Sequence, residues 1–395
     1  MKALNNNTHP LESLLKQHCP NGVEFKELGE VCETLPKGTL KTSQLTANGY
    51  PVINSGRDLY GYYSKFNNES NAFTIAARGE YAGFVNFMDS KFWAGGLCYP
   101  YRSNDENKLL TKFIYYHLKT NESNIMDSLV ARGSIPAINK KDIDKKLKIP
   151  LPPLEIQSKI VEILDTFTEL EAELEAELEA RLKQYHYYRN KLLSHDELEN
   201  RTAKSRNDSD PATLVPYVRL GEACEILDNL RKPITKSKRT QGIYPYYGAN
   251  GIQDYVNEYI FDGDFLLMGE DGSVINKDNS PVLNWVSGKF WVNNHAHILK
   301  EKSNTTNLRF VFFYLQTCDV SSIVRGVPPK INQQNLKTIQ IPLPPLAVQN
   351  EIVELLDKFD TLTNDLTSGI PAEIEARKKQ YEYYRERLLS FIAKD

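Results

Sequence analysis

Ile149-Pro-Leu-Pro-Pro-Leu-Glu-Ile-Gln157 and Ile341-Pro-Leu-Pro-Pro-Leu-Ala-Val-Gln349 are nearly the same phrase, written twice in one chain of 395 residues. Proline cannot continue a helix but stiffens its approach, and helical periodicity begins just after Leu154 and Leu346. Each phrase therefore predicts the end of a globular segment and the start of a long helix. The helical runs also close alike, in Tyr185-x-Tyr-Tyr-Arg189 and Tyr381-x-Tyr-Tyr-Arg385, each followed shortly by Leu-Leu-Ser.

Outward from these phrases the match continues. Val23-Glu-Phe-Lys-Glu-Leu-Gly-Glu-Val-Cys-Glu33 has its counterpart in Val215-Pro-Tyr-Val-Arg-Leu-Gly-Glu-Ala-Cys-Glu225. Tyr50-Pro51 matches Tyr244-Pro245, Gly79-Glu80 resembles Gly269-Glu270, and Lys91-Phe-Trp93 matches Lys289-Phe-Trp291. Arg132-Gly133, Pro136 and Ile138-Asn139 match Arg325-Gly326, Pro329 and Ile331-Asn332. An internal repeat decides architecture. The expected order is a first domain over residues 1–150, a helical spacer over 151–196, a second domain over 197–342 and a second spacer over 343–395, broken near Gly369 and Pro371. Entrances and helices match best, whereas domain interiors share only scattered residues. Two copies that keep their frame and present different surfaces would give that contrast, and so would duplication followed by drift.

Strand-like runs at 50–54, 72–76, 83–87, 265–268 and 290–293 alternate with Gly, Asn and Asp turns, and short helices are expected at 108–119 and 307–316. The fold class is therefore α+β: two mixed α/β domains joined by two long antiparallel coiled-coil helices, with an internal pseudo-two-fold repeat. Ile160, Phe167, Leu170, Leu174, Leu178 and Tyr185 form the apolar stripe of the first helix; Ile352, Phe359, Leu362, Leu366, Ile374 and Tyr381 continue it on the second. The first helix contains Glu-Leu-Glu-Ala three times, from Glu169 to Ala180. Four-residue steps do not sustain a heptad, so a nearly straight rod is expected, reaching ~58 Å over residues 155–193 at ~1.5 Å per residue. Two duplicated domains on such a rod suit a bipartite target of two-fold character, such as duplex DNA. An ordinary dimerisation coil with a solvated glutamate face is the plainer alternative.

Composition fits a soluble globular protein of more than one domain, with 25% charged and 41% hydrophobic residues. No segment approaches the ~18 continuous apolar residues of a membrane span, and the first 15 residues lack a secretory pattern, so a cytoplasmic location is expected. Five scattered cysteines without a C-x-x-C pair suggest reduced thiols rather than disulfides or zinc. The net charge of -3 argues against phosphate binding, but six glutamates lie within 169–179, and without them the balance rises to +3. The acid is confined to the spacer.

These motifs resemble the Type I restriction-modification specificity subunits along the whole chain. The resemblance is carried by the two Pro-Leu-Pro-Pro-Leu-x-x-Gln phrases, the Lys-Gln-Tyr-x-Tyr-Tyr-Arg phrases from Lys183 and Lys379, and Leu366-Thr-Ser-Gly-Ile-Pro-Ala-Glu-Ile374. It implies a non-catalytic subunit in which each domain recognises one half of a split DNA sequence. The implied partners are two adenine methyltransferase subunits and ATP-driven restriction subunits. S-adenosylmethionine, ATP and Mg would be used by the complex, with no cofactor on this chain. It further implies that the number of tetrapeptide repeats helps to set the gap between half-sites.

Enzyme motifs agree with that expectation. No Asn-Pro-Pro-Tyr or Asp-Pro-Pro-Tyr motif occurs, Val327-Pro-Pro-Lys330 lacks the required amide or carboxylate, and no phosphate-loop motif is present. His295 and His297 alone make no metal site without further ligands. The rival classes are a fused nuclease or methyltransferase and a coiled-coil scaffold without a DNA role; salt-sensitive duplex binding separates the scaffold from a DNA reader. Candidate DNA contacts in the first domain are Lys37, Lys41, Arg57, Tyr60, Arg78, Tyr81 and Arg132. In the second they are Arg231, Lys232, Lys236, Lys238, Arg239, Asn250, Gln253, Glu270, Arg325 and Lys330. Lys and Arg suit phosphates, while Arg, Asn and Gln can also read base edges. The Arg-Gly turns, kept in both halves, suit backbone contact better than base reading.

Overall fold

The computed structural model describes residues 17, 19–206, 215–302 and 304–393. The first 15 residues, read above for a secretory signal, lie outside them. The chain forms two compact units, one of residues 1–175 with 373–395 and the other of residues 176–372.

In the first unit, Phe25–Glu27 pairs antiparallel with Lys148–Pro150, so entrance and exit of the domain are tied together. The exit strand runs directly into the Pro-Leu-Pro-Pro-Leu phrase. Between them lie a four-stranded antiparallel sheet, in the order Cys32–Thr34, Cys98–Ser103, Ala72–Ala76, Val85–Met88, and a three-stranded sheet, Gly61–Tyr63, Tyr50–Ile53, Trp93–Ala94. Val52 pairs with Trp93 in parallel. The helix Thr111–Thr120 buries Phe113, Ile114, Tyr116 and Leu118, packing them with Phe73, Ile75, Tyr101, Ile149 and the helix residues Ile156, Ile160 and Leu164.

The second unit repeats this plan. Tyr217–Arg219 pairs with Gln340–Pro342, and Tyr246 pairs in parallel with Trp291. Its sheet is one continuous six-stranded surface, in the order Cys224–Ile226, Ala296–Glu301, Phe261–Gly269, Leu283–Val292, Gln241–Gly248, Gly251–Val256. Here the strand Leu283–Val292 does alone what Val85–Met88 and Trp93–Ala94 do separately in the first unit. An Asp89-Ser90 turn interrupts pairing there, whereas Ser287-Gly288 keeps it, with Gly288 at a positive φ of 83° opposite Gly263. The helix Leu308–Leu315 buries Phe310, Val311 and Phe313 against the sheet.

The first long helix is continuous over Leu154–Leu192, and the second is split into Leu346–Asn364 and Ile370–Leu389. The break falls where Gly369 and Pro371 interrupt the pattern. The Asp365 carboxylate accepts from the Thr367 backbone at 2.7 Å and from the Thr367 and Ser368 hydroxyls at 2.6 and 2.5 Å. Those bonds hold its pKa down to about 2. In the first unit Phe167 stacks on Tyr384 at 5.5 Å. Lys378 pairs there with Glu171 and Glu175 at 3.3 and 3.1 Å, so the local helix pair is antiparallel. In the second unit Phe359 stacks on Tyr188, also at 5.5 Å. The partners occupy the same positions of the repeated phrases.

Two residues of the expected stripe need correction. Leu366 is 79% exposed and Leu362 38% exposed. The helix Leu346–Asn364 buries Val348, Ile352, Val353, Leu356 and Thr363 instead, and Leu366 lies beyond its end. A sequence stripe fixes the apolar side only to within one step of the helical wheel, about 100°. Among the remaining residues, Ile160 and Ile352 are fully buried in the unit cores rather than reserved for a helix pair. Leu170, Leu174 and Leu178 are half-buried.

The five cysteines carry free thiols, and burial pushes those of Cys98, Cys224 and Cys318 up to about 12. Among the described residues no helix is long and apolar enough to cross a membrane.

Candidate nucleic-acid interface

The glutamine of each Pro-Leu-Pro-Pro-Leu-x-x-Gln phrase anchors a long helix to its own domain. Gln157 is fully buried; its carbonyl accepts from the Leu110 N–H at 2.8 Å, and its amide donates to the carbonyls of Lys108 and Pro152 at 2.9 and 2.7 Å. Gln349 repeats this with the Asn307 N–H at 2.8 Å and the carbonyls of Thr305 and Pro344 at 2.8 and 2.7 Å. A second tether lies close by: Lys112 pairs with Asp165 at 2.8 Å in the first unit. Arg309 pairs with Asp357 and Asp360 at 2.7 and 2.6 Å in the second.

At one end of the first unit's sheets, loops 54–58, 78–84, 95–97 and 131–137 meet. The Asn54 side chain accepts from the Leu97 N–H at 2.9 Å, and Ala77 N–H donates to the Leu97 carbonyl at 2.8 Å. Arg57 lies over Tyr81 and Phe84, with centroid distances of 6.0 and 5.8 Å. Arg78 is exposed beside Ala137, to which it is bridged. Arg132 is exposed and pairs with the equally exposed Asp127 at 2.7 Å. The structure thus gathers Arg57, Arg78, Tyr81 and Arg132. Lys37 sits at the edge of this group, its ammonium donating to the Gly96 and Cys98 carbonyls at 3.1 and 3.2 Å. Lys41 and Tyr60 lie apart, around the turn Thr42–Gln44, where Tyr60 bonds the Thr42 hydroxyl at 2.8 Å.

The second unit departs from the sequence reading. Arg231 is nearly buried, bonded to Glu270 and, at 2.9 Å each, to the carbonyls of Asp228 and Ala296. Arg239 pairs with Asp254 at 3.1 Å and lies 4.2 Å over the Tyr246 ring. Both guanidiniums point inward, so of the basic run only Lys232, Lys236 and Lys238 face solvent. Glu270 likewise faces inward, with Lys330 3.2 Å away. Asn250 is exposed at the hairpin between Gln241–Gly248 and Gly251–Val256. Gln253 accepts from Asn293 at 3.1 Å. His297, fully buried, bonds Asp228 at 2.6 Å and the Ile331 carbonyl at 2.8 Å, while His295 bonds Asp271. Burial alone would raise the Asp228 pKa, but His297, Arg231 and Gln333 hold its carboxyl below the usual range. Asp228, Glu270 and His297 bring ligand atoms within 4.8 Å of one another. Arg231 and Lys330 already balance those carboxylates, so ion pairing accounts for the cluster.

The Arg-Gly turns are held by the same device in both units. In the first, Gly79 N–H donates to the Pro136 carbonyl at 2.9 Å and Ile138 N–H to the Ala77 carbonyl at 3.0 Å. In the second, Gly272 N–H donates to Pro329 and Ile331 N–H to Glu270, both at 2.9 Å. The true partner of Gly79 is therefore Gly272, not Gly269; Gly79 and Gly272 both adopt positive φ, at 100° and 79°. Sequence reasoning missed this clasp. Its signal was present, because Gly79, Arg132 and Ile138 share one offset with Gly272, Arg325 and Ile331.

A family model described as "Type I restriction modification DNA specificity domain" matches residues 20–184 and again 215–376. A Type I restriction enzyme specificity subunit of Haemophilus influenzae is 44% identical over 181 residues, which span 45% of this chain and 46% of that relative. The EcoR124I/EcoR124II specificity subunit of Escherichia coli is 31% identical, with 93% of this chain and 94% of the relative covered. The crystal structure of the Type I restriction-modification S subunit from M. genitalium shares the fold, with a TM-score of 0.66 at 20% identity and 99% of both chains covered. On the two family matches and the near full-length relative, the chain belongs to the Type I restriction-modification DNA specificity family.

Proposed function

We propose that this chain is the DNA-reading subunit of a Type I restriction-modification complex, recognising a bipartite duplex target with one half-site for each domain. It docks two methyltransferase subunits and the motor-nuclease subunits and catalyses nothing itself. One observation carries the reading: the two domains share strand pairings, glutamine anchors and a clasped Arg-Gly turn, yet expose different side chains at the ends of those turns. A common frame with differing surfaces suits two half-sites of different sequence.

In this reading the long helices form an antiparallel coiled-coil spacer with pseudo-two-fold character, and the three tetrapeptides contribute to the gap between half-sites. S-adenosylmethionine, ATP and Mg serve the partner subunits, and the complex works in the cytoplasm. Lys37, Lys41, Arg57, Arg78, Arg132, Lys232, Lys236, Lys238 and Arg325 are proposed phosphate contacts, and Tyr60, Tyr81, Asn250 and Gln253 neighbours of the bases. The test is co-expression with the neighbouring methyltransferase gene and mapping of N6-methyladenine by single-molecule sequencing. A split motif with a fixed gap, changed in one half by exchanging residues 34–146, supports the reading. A stable complex without any new motif would favour a scaffold.

A further inference from the structure

Among the described residues, the clasped turns end in apolar groups left exposed. Val327 is 101% exposed, and in the first unit Ile135 is 56% exposed. A single exposed apolar side chain is ordinary, as at Leu366 and Ile243, each 79% exposed; what sets Val327 and Ile135 apart is that each lies on a turn held the same way in both units. The turn in the second unit is closed by reciprocal bonds between Arg325 and Lys330, at 2.8 and 2.7 Å. In the first it is closed by the pairing of Ala131 with Ala137. Both are then fastened to the neighbouring loop by the glycine clasps.

The clasp residues coincide in the two units and the tips do not: Ser134 and Ile135 occupy the positions of Val327 and Pro328. A valine or isoleucine gains nothing from a phosphate, which takes charge and N–H donors. It gains from a thymine methyl or an unstacked base face. The basic residues Arg132 and Arg325 flank these tips and can hold the backbone while the tip enters the groove.

Resting on the DNA-reading proposal, we infer that the tips of the two Arg-Gly turns make the apolar base contacts of their domains, through Ile135 in the first and Val327 with Pro328 in the second. The clasp, shared by both halves, positions each tip; the tip residues help to set which bases are accepted.

The test uses the full chain with its methyltransferase subunits and a pool of duplexes with randomised base pairs, from which bound molecules are sequenced. Wild type should enrich a split motif. Val327→Ser should lose on the order of ten-fold discrimination at positions of one half only, and Ile135→Ser at positions of the other half. Because no charge is removed, the slope of log affinity against log salt should stay unchanged, whereas Arg325→Ala should lower it by about one. Val327→Leu, which keeps an apolar tip, should retain recognition at that half. The inference is overturned if both serine variants select the wild-type motif with undiminished discrimination, or if both lose it in the same half. Weakened assembly with the methyltransferase at unchanged discrimination would assign the tips to a protein contact instead. If wild type enriches no motif, the DNA-reading proposal itself fails.

Discussion

Replacing Gln349 by leucine removes one side chain and strands three backbone groups. The Gln349 amide is fully buried, and its three bonds, at 2.8, 2.8 and 2.7 Å, join the helix start at Pro344 to the segment that begins the helix Leu308–Leu315. Leucine has nearly the same volume, so little cavity arises and the loss is polar. At ~1 kcal/mol of net stability per bond the substitution should cost about 3 kcal/mol, and more if the Asn307 N–H finds no other acceptor. For a unit of roughly 200 residues this corresponds to a fall of about 6–12 °C in melting temperature. Differential scanning calorimetry on the full chain would measure it. Gln157→Leu should produce a similar loss through the first unit. Well below either transition, DNA affinity per folded molecule should be unchanged, which separates an anchor from a binding residue. A melting temperature within 2 °C of wild type would show that the glutamine bonds contribute little and that proline stiffness alone sets the helix approach.

Other consequences follow from particular contacts. Removing one tetrapeptide, residues 173–176, shortens the helix by ~6 Å and should shorten the methylated motif's gap by one or two base pairs of ~3.4 Å; an unchanged gap in the mapped motif rejects the spacer role. Burial holds the pKa of His117 down to about 4 from 6.5. The folded state therefore prefers the neutral ring, and stability should be full above about 6.5 and fall as pH drops towards 4; His117→Gln should flatten that part of the urea midpoint-against-pH curve, and an NMR titration near 6.5 would contradict it. Arg309 pairs with Asp357 and Asp360 and lies 4.6–4.9 Å over Phe312, Phe313 and Trp285, so Arg309→Met should cost about 2–3 kcal/mol in urea denaturation. Lysine there should not restore it, because only guanidinium spans both carboxylates.

Local features were the most legible. Prolines at 150, 152 and 153 announced the helix beginning at Leu154, and Gly369 with Pro371 announced the gap between Leu346–Asn364 and Ile370–Leu389. The strand at 72–76 was read correctly to the residue. Each of these depends on backbone preferences within a few residues. The helix stripe was less secure, since Leu355, Leu362 and Leu366 satisfy apolar periodicity almost as well as Ile352, Leu356 and Phe359. Only the domain surface decides between such faces. Nor did sequence spacing show that one unit divides its sheet where the other keeps it whole.

Charge was the least legible property, for a definite reason. Arg231 stands in a run of basic residues that looks like a phosphate contact, but its carboxylate partner Glu270 lies 39 residues away in sequence. Whether an arginine meets solvent or a buried acid is settled by pairing between distant strands, here Phe261–Gly269 beside Ala296–Glu301. The same long-range pairing explains the misplaced partner of Gly79. A Gly-Glu match to Gly269 and Glu270 is attractive as a string, while the clasp selects Gly272, whose N–H donates to Pro329 where that of Gly269 donates to Val282. Composition alone places cations near DNA; folding removes some of them into the frame. What it leaves outside in each unit is a turn held by the same glycine and proline bonds and ending in different apolar groups. In a duplicated reader, recognition is best sought where the frame is shared and the exposed chemistry differs, and the two Arg-Gly turns meet both conditions.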